Sequence, residues 1–196
     1  MNWQTYSFIA AVIATGVLIL NLVVNSYQSK KSLDEIRKNR EIEVYRNIEK
    51  DWYDIVNSQI NQDYFGIIRQ NPTIKEAEHR EPFLRTEQDY ENVYKQYINE
   101  IHELDEQITT EFGMKDPMVN ILNFFKSVNR YIDNDWITAE YVYGFIGGNI
   151  LDYWRLLYLL VYHLSYEAHY PHYRKFKSLV DKMDKVRIDR QKQGLQ

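Results

Sequence analysis

The first 29 residues contain no Asp, Glu, Lys or Arg, and the stretch from Phe8 to Val24 is almost wholly apolar. Lys30 and Lys31 then close the run. A helix that is oily on every face has no polar side to turn towards water, so the segment reads as a span of lipid. A helix also suits it because, in hydrocarbon, each backbone N–H must find its acceptor within the segment. The 17 residues from Phe8 to Val24 reach about 25 Å, and the 22 from Tyr6 to Tyr27 about 33 Å, against hydrocarbon ~30 Å thick. Phe8, Ile9, Val12, Leu18, Leu20 and Val24 are the expected membrane-facing side chains, with Trp3, Tyr6 and Tyr27 at the headgroup level.

The rival reading is a cleaved leader, which needs a basic region ahead of a shorter apolar run and a small-residue cleavage site after it. Here no Lys or Arg precedes the run, and Asn-Leu-Val-Val-Asn-Ser-Tyr ends it. Residues 30–40 hold five bases: Lys30, Lys31, Arg37, Lys38 and Arg40. The positive-inside bias then predicts an outside N-terminus and a cytoplasmic remainder at the inner membrane. Residues 141–166 form the one other apolar stretch of comparable length. It carries Asp152 and Arg155 near its middle, each costing about 2.5–3.5 kcal/mol at a bilayer centre. It reads as the core helix of a folded domain.

Beyond the anchor the chain reads as all-α. Seven Gly and four Pro leave few breakpoints, and no alternating β-branched run is bounded by turn residues. The expected organisation is an anchor over residues 1–29, a helical stalk over 30–44, and a helical bundle over 45–196 with a basic C-terminal tail. The stalk offers only Leu33 and Ile36 as apolar side chains over residues 30–41, which suits a solvated rod or a weak coiled coil. Tyr45, Ile48, Trp52, Ile55 and Val56 resume a helical stripe. Asn71-Pro72 predicts a break, and Thr73 to Glu76 has capping-box spacing for a short helix that Pro82 ends.

Tyr90, Tyr94, Tyr97, Ile101, Leu104, Ile108 and Phe112 then make a heptad-like seam. Gly113 suits the position after its end, and Asp116-Pro117 the start of the next helix. That helix is expected to bury Ile121, Phe124, Phe125, Val128 and Tyr131. Thr138 is a cap for the following helix, with Ile137 and Val142 as a staple. This helix, apolar nearly all round to Tyr166, is the expected centre of the bundle. Phe176, Leu179, Val180 and Met183 stripe the last one.

Ile121-Leu122-Asn123-Phe124-Phe125, then Ile137-Thr138-Ala139-Glu140-Tyr141-Val142-Tyr143, then Ile150-Leu151-Asp152-Tyr153-Trp154 give the chain a resemblance to a known bacterial family. That family has one N-terminal membrane helix, a small cytoplasmic helical domain and an unknown function. The resemblance spans residues 5–180 in layout and rests on 119–180, with Lys126 standing where an acid is more usual. It implies the fold and the anchoring, and carries over no catalytic residue.

Candidate chemistry is sparse. His163, His169 and His172 lie close together, but with spacings of six and three across Pro171, no Cys and no evident carboxylate partner. Surface and helix-end positions account for them better than a metal site. Asp152 and Arg155, at i and i+3, read as an intrahelical ion pair, or as a site beside Tyr153 and Trp154. Gly144, Gly147 and Gly148 lack the strand and Lys-Ser/Thr of a phosphate loop and read as close-packing positions, or as a kink or ligand notch. Eight tyrosines between 141 and 173 suit a core-to-surface layer or a recognition surface.

Charge is segregated: residues 41–116 hold 18 acids and 8 bases, and residues 172–192 hold 8 bases and 3 acids. The basic tail fits an anionic inner leaflet, the acidic helices of its own domain, or water. The whole chain is net −4 and the tail lacks interleaved aromatics, which argues against nucleic acid. Ala10 and Ala14, with Asn21, are features that favour helix pairing in lipid.

No acid, base and nucleophile converge in the sequence, and no cofactor or metal motif is present. The expectation is a single-pass anchored module that is not an enzyme and works by binding a protein partner or a second copy of itself. The alternative is a membrane-linked enzyme on a lipid or nucleotide, with a site around Asp152, Arg155 and His163.

Overall fold

The computed structural model describes the backbone of residues 3–81, 84, 86–113, 117–167 and 172–194, and the side chains of 18–81, 84, 86–113, 117–166 and 174–194. Every element among these is helical. The chain divides into two compact units, Met1–Glu43 and Val44–Gln196. The first helix, α1 (Trp3–Asn57), runs through the division without a break, as the lack of Gly or Pro from Tyr27 to Ile60 allows.

In the first unit Leu18, Ile19, Leu20, Leu22, Val23 and Val24 are all exposed, and so are Leu33 and Ile36. Phe8, Ile9 and Val12 lie outside the residues whose side chains are described. Among the described residues no helix is long and apolar enough to cross a membrane.

The second unit begins where α1 acquires a buried stripe at Val44, Ile48 and Trp52. Helix α2 (Gln59–Gln70) follows a kink at Ser58. Asn71, with extended backbone, ends α2 and starts α3 (Pro72–Arg80). Its side chain accepts a hydrogen bond from the Ile74 N–H at 3.2 Å. The expected cap at Thr73 is therefore corrected. Pro72 occupies the first helical position, where its missing N–H costs nothing, so the cap falls one residue before the proline and Thr73 lies inside the helix.

The heptad-like seam is buried almost throughout but is not one helix. Helix α4 (Glu87–Gln96) stops at Tyr97, whose φ of −117° and ψ of 18° leave the helical region, and α5 (Ile98–Phe112) restarts. Tyr97 stays buried because its ring packs inward across the break. The seam is spent within the chain: both helices pack on α8 (Gly148–Glu167). Gly113 ends α5 at a positive φ of 59°, a conformation that carries no Cβ penalty in glycine.

Helix α6 (Pro117–Asp133) presents Ile121, Phe124, Phe125 and Val128 to the core, with Tyr131 at its edge. The expected N-cap of α6 at Asp116 lies outside the described residues, as do Pro82, His169 and Pro171. Thr138 caps the short α7 (Ala139–Val142), accepting from the Tyr141 N–H at 3.2 Å, with Ile137 and Val142 both buried.

The helix expected from Thr138 to about Tyr166 forms without a non-helical residue between 139 and 167, and it widens at the glycines. A π-helical turn, Tyr143–Gly147, separates α7 from α8. From there α8 is the axis of the unit: the six consecutive residues Leu156–Val161 are all buried, which only a helix covered on all sides can achieve. Helix α9 (His172–Lys192) closes the bundle on α8 and α6 with Phe176, Leu179, Val180, Met183 and Val186 inward.

Aromatic rings knit the layers together. Trp52 of α1 meets Tyr153 of α8 edge-on at 5.8 Å, Phe65 of α2 meets the same tyrosine at 4.9 Å, and Phe125 of α6 stacks on Phe176 of α9 at 4.6 Å. Each such pair adds about 0.5–1.5 kcal/mol to the area it buries.

Candidate functional site

The most heavily wired polar feature of the second unit centres on Glu81, the residue that ends α3. Its side chain is largely buried, and Oε1 accepts from the Trp154 Nε1–H at 2.7 Å and the Tyr90 hydroxyl at 3.0 Å. Oε2 lies 3.8 Å from Arg155 Nε. Three helices are thereby tied to one carboxylate. Trp154 and Tyr90 are drawn to it because an indole and a phenol that bury their rings must still place a polar hydrogen. Burial, and secondly the Glu81 charge, hold the Tyr90 phenol well above the ordinary range. Tyr158 is raised in the same way by burial and then by Glu81, and its hydroxyl donates to the Ala77 carbonyl at 3.1 Å.

Outside this knot lies a cleft of about 480 Å³ between α8 and α9. Trp154, Tyr90 and Val180 line it, together with the bases Arg155, Lys177 and Arg187 and the acids Glu81, Asp181 and Asp184. Lys177 pairs with Asp181 and stands over the Tyr90 and Trp154 rings, 5.7 and 5.9 Å from their centroids. Arg187 Nη2 donates to Asp184 at 2.5 Å. The Glu81 carboxylate thus holds two hydrogen bonds from buried partners on other helices.

The residues singled out from the sequence fall in several places. Arg155 Nη1 lies 3.5 Å from Asp152 Oδ1, a long pair whose acid is 74% exposed. The helix turns Asp152 outward, while Arg155 beside it stays half-buried. Trp154 is almost wholly buried on the Glu81 side. Tyr153 turns the opposite way, into Trp52, Phe65 and Phe125.

His163 is neither at the surface nor at a helix end. It is 1% exposed, its Nδ1 is 2.9 Å from the Tyr94 hydroxyl, and its Nε2 faces Asp105 Oδ2 at 4.0 Å. It stands two turns beyond Arg155, about 12 Å along the axis. Asp152, Arg155 and His163 therefore do not converge. Among the described residues no group of three or more His, Cys, Asp or Glu is placed to hold a metal ion.

The three glycines have different roles. Gly147 is buried, and a Cβ there would stand 2.5 Å from the Tyr143 ring, which folds back over it. Gly144 faces Arg190, and Gly148 faces open space. Arg190 lies over the Tyr143 ring at 5.0 Å, and its Nη2 donates to the Glu140 carbonyl at 3.3 Å. The close packing expected of the glycines is thus local to the wide turn, at Gly147 alone.

The basic C-terminal helix spends much of its charge inside the domain. Lys182 donates to Asp133 and Asn129, and Arg174 lies 3.6 Å from Glu87. Glu81, Lys177 and Arg187 escaped the sequence reading because no periodicity marks a polar residue that comes into use only when distant helices meet.

No protein-family model, curated protein or solved structure matches this chain.

Proposed function

We propose that this chain is a single-pass membrane-anchored helical module whose bundle acts by binding, either another protein or a second copy of the chain. The observation that carries the reading is the run Leu18–Val24 on α1, where every large apolar side chain is exposed. Leaving that much oily surface in water costs about 25 cal/mol per Å², a penalty that lipid removes. Chain continuity then joins such an anchor to Val44–Gln196 through one unbroken helix. The five bases of residues 30–40 favour a bundle on the cytoplasmic side with the N-terminus outside.

A binding role is favoured over the enzymatic alternative by the separation of Asp152 and Arg155 from His163, and by the engagement of Glu81 with Trp154 and Tyr90. The test is in two parts. Full-length tagged chain stays in the pellet after alkaline carbonate extraction of lysed membranes, and its C-terminal tag is shielded in protease protection of sealed cells. Release into the carbonate supernatant refutes the anchor. Crosslinking in intact cells followed by mass spectrometry recovers a partner or a self-adduct; recovery of neither refutes the binding role.

A further inference from the structure

The cleft beside Glu81 has more hydrogen-bond donors than the protein uses. An arginine guanidinium carries five N–H donors in a planar fork. Arg155, although only partly exposed, reaches its two carboxylates at 3.8 and 3.5 Å, both beyond ordinary hydrogen-bond length. Arg187 makes one short bond, to Asp184 of its own helix, and its Nε is buried with no acceptor. Lys177 is the third cation of the lining.

The carboxylates in the lining are more fully committed. Glu81 Oε1 takes two hydrogen bonds, Asp181 is held by Lys177, and Asp184 by Arg187. A surplus of donors on two forks calls for a planar or tetrahedral oxyanion, because carboxylate and phosphate oxygens match the guanidinium geometry in pairs. Apolar side chains also reach this mainly polar cleft: Ile188 is 38% exposed, Leu151 is half-buried and Val180 is buried. About 480 Å³ lies within the ~300–1,000 Å³ typical of small-molecule sites.

We infer that the α8–α9 cleft binds a small amphiphilic anion, its carboxylate or phosphate head between Arg155 and Arg187 and its apolar part on Leu151 and Ile188. The head is drawn by donors left over once Arg187 has bonded Asp184 and Arg155 has made only its two long ion pairs. The apolar part is drawn by the exposed face of Ile188 and by the half-buried Leu151. The inference concerns the folded bundle and does not depend on the anchor.

Full-length protein purified in a nonionic detergent is titrated calorimetrically with hexyl phosphate, with hexanol (no head) and with inorganic phosphate (no tail). Hexyl phosphate binds, hexanol does not, and inorganic phosphate binds at least about tenfold more weakly. Arg155→Gln and Arg187→Gln each weaken hexyl phosphate by about tenfold or more. Lys185→Gln, the same change of charge on α9 outside this cleft, leaves the affinity within twofold. Far-UV circular dichroism confirms that each variant is folded.

Absence of hexyl phosphate binding to the helical wild-type protein overturns the inference. So does equal loss in all three variants, which is general charge attraction, or no loss in either arginine variant. Repeating the titration in micelles doped with phosphatidic acid, against phosphatidylcholine, separates the sources. A weakened apparent affinity identifies a lipid phosphate in the cleft, and an unchanged one identifies a water-soluble anion.

Discussion

Replacing Glu81 by Ala removes an acceptor that joins α3, α4 and α8, and the structure sets what that costs. The Oε1 atom accepts at 2.7 Å from Trp154 and 3.0 Å from Tyr90, two residues that are 1% and 2% exposed. Hydrogen bonds to a charged acceptor contribute about 1.5–3 kcal/mol each, so loss of both sets an upper bound near ~6 kcal/mol. The adjoining cleft admits water to the vacated position, and the Trp154 N–H lies 3.4 Å from the Tyr90 oxygen as a fallback. Both effects lower the expected loss to about 2–4 kcal/mol. Glu81→Gln keeps a carbonyl acceptor and forfeits only the charge, for about 1–2 kcal/mol.

The assay is equilibrium urea unfolding of the full-length protein in nonionic detergent, followed by circular dichroism at fixed pH. A double-mutant cycle with Tyr90→Phe then isolates the Glu81–Tyr90 coupling, expected at about 1 kcal/mol or more. If Glu81→Ala costs under about 0.5 kcal/mol, or the two substitutions are additive, the carboxylate does not organise the three helices.

Three further outcomes follow from the same geometry. Gly147→Ala places a methyl 2.5 Å from the Tyr143 ring and lowers thermal stability by about 1–3 kcal/mol, whereas Gly148→Ala, helical and facing open space, raises it by about 0.5–1 kcal/mol. Leu157→Ala, at a fully buried position on the central helix, costs about 2–5 kcal/mol in urea unfolding. Tyr90, Tyr158 and Tyr153 have phenols raised by burial in the folded chain, and burial, with Glu76 next, pushes Tyr97 up to about 12. A phenol raised on folding contributes stability that is complete below its unfolded value near ~10 and is lost as pH climbs towards the folded value. Stability is therefore flat in this respect at neutral pH and falls above about pH 10. Absorbance at 295 nm shows Tyr90, Tyr153 and Tyr158 ionising only with unfolding.

The sequence showed apolar period more readily than polar placement. Ile121, Phe125, Val128, Leu179 and Met183 are buried where their helical spacing put them, since burial of a stripe is decided within one element. Tyr97 shows the limit of that logic. Its spacing continues the seam, yet the backbone breaks there, and side-chain period is nearly blind to a single non-helical residue. Thr73 was misleading because two capping residues compete just before and after a proline, and Asn71 fits the proline better. The Glu81 knot was hidden for a different reason: its members come from helices some 70 residues apart in the chain, joined for instance by the Trp154–Glu81 bond with its separation of 73. His163 reads as a surface histidine until Tyr94 and Asp105 are brought to it by the packing of α4 and α5 on α8.

The π turn at Tyr143–Gly147 sets the phase of everything after it. A five-residue loop of hydrogen bonding in place of four accommodates one surplus amino acid without rotating the flanking segments out of step. Excising a single glycine there converts the wide turn into ordinary α-helix while Thr138 upstream and Trp154 downstream keep their facing. Excising one residue anywhere within Leu156–Val161 instead swings each later side chain by about 100°. The bundle thus has one place along its axis where chain length is negotiable, and Arg190 is the clasp that closes it.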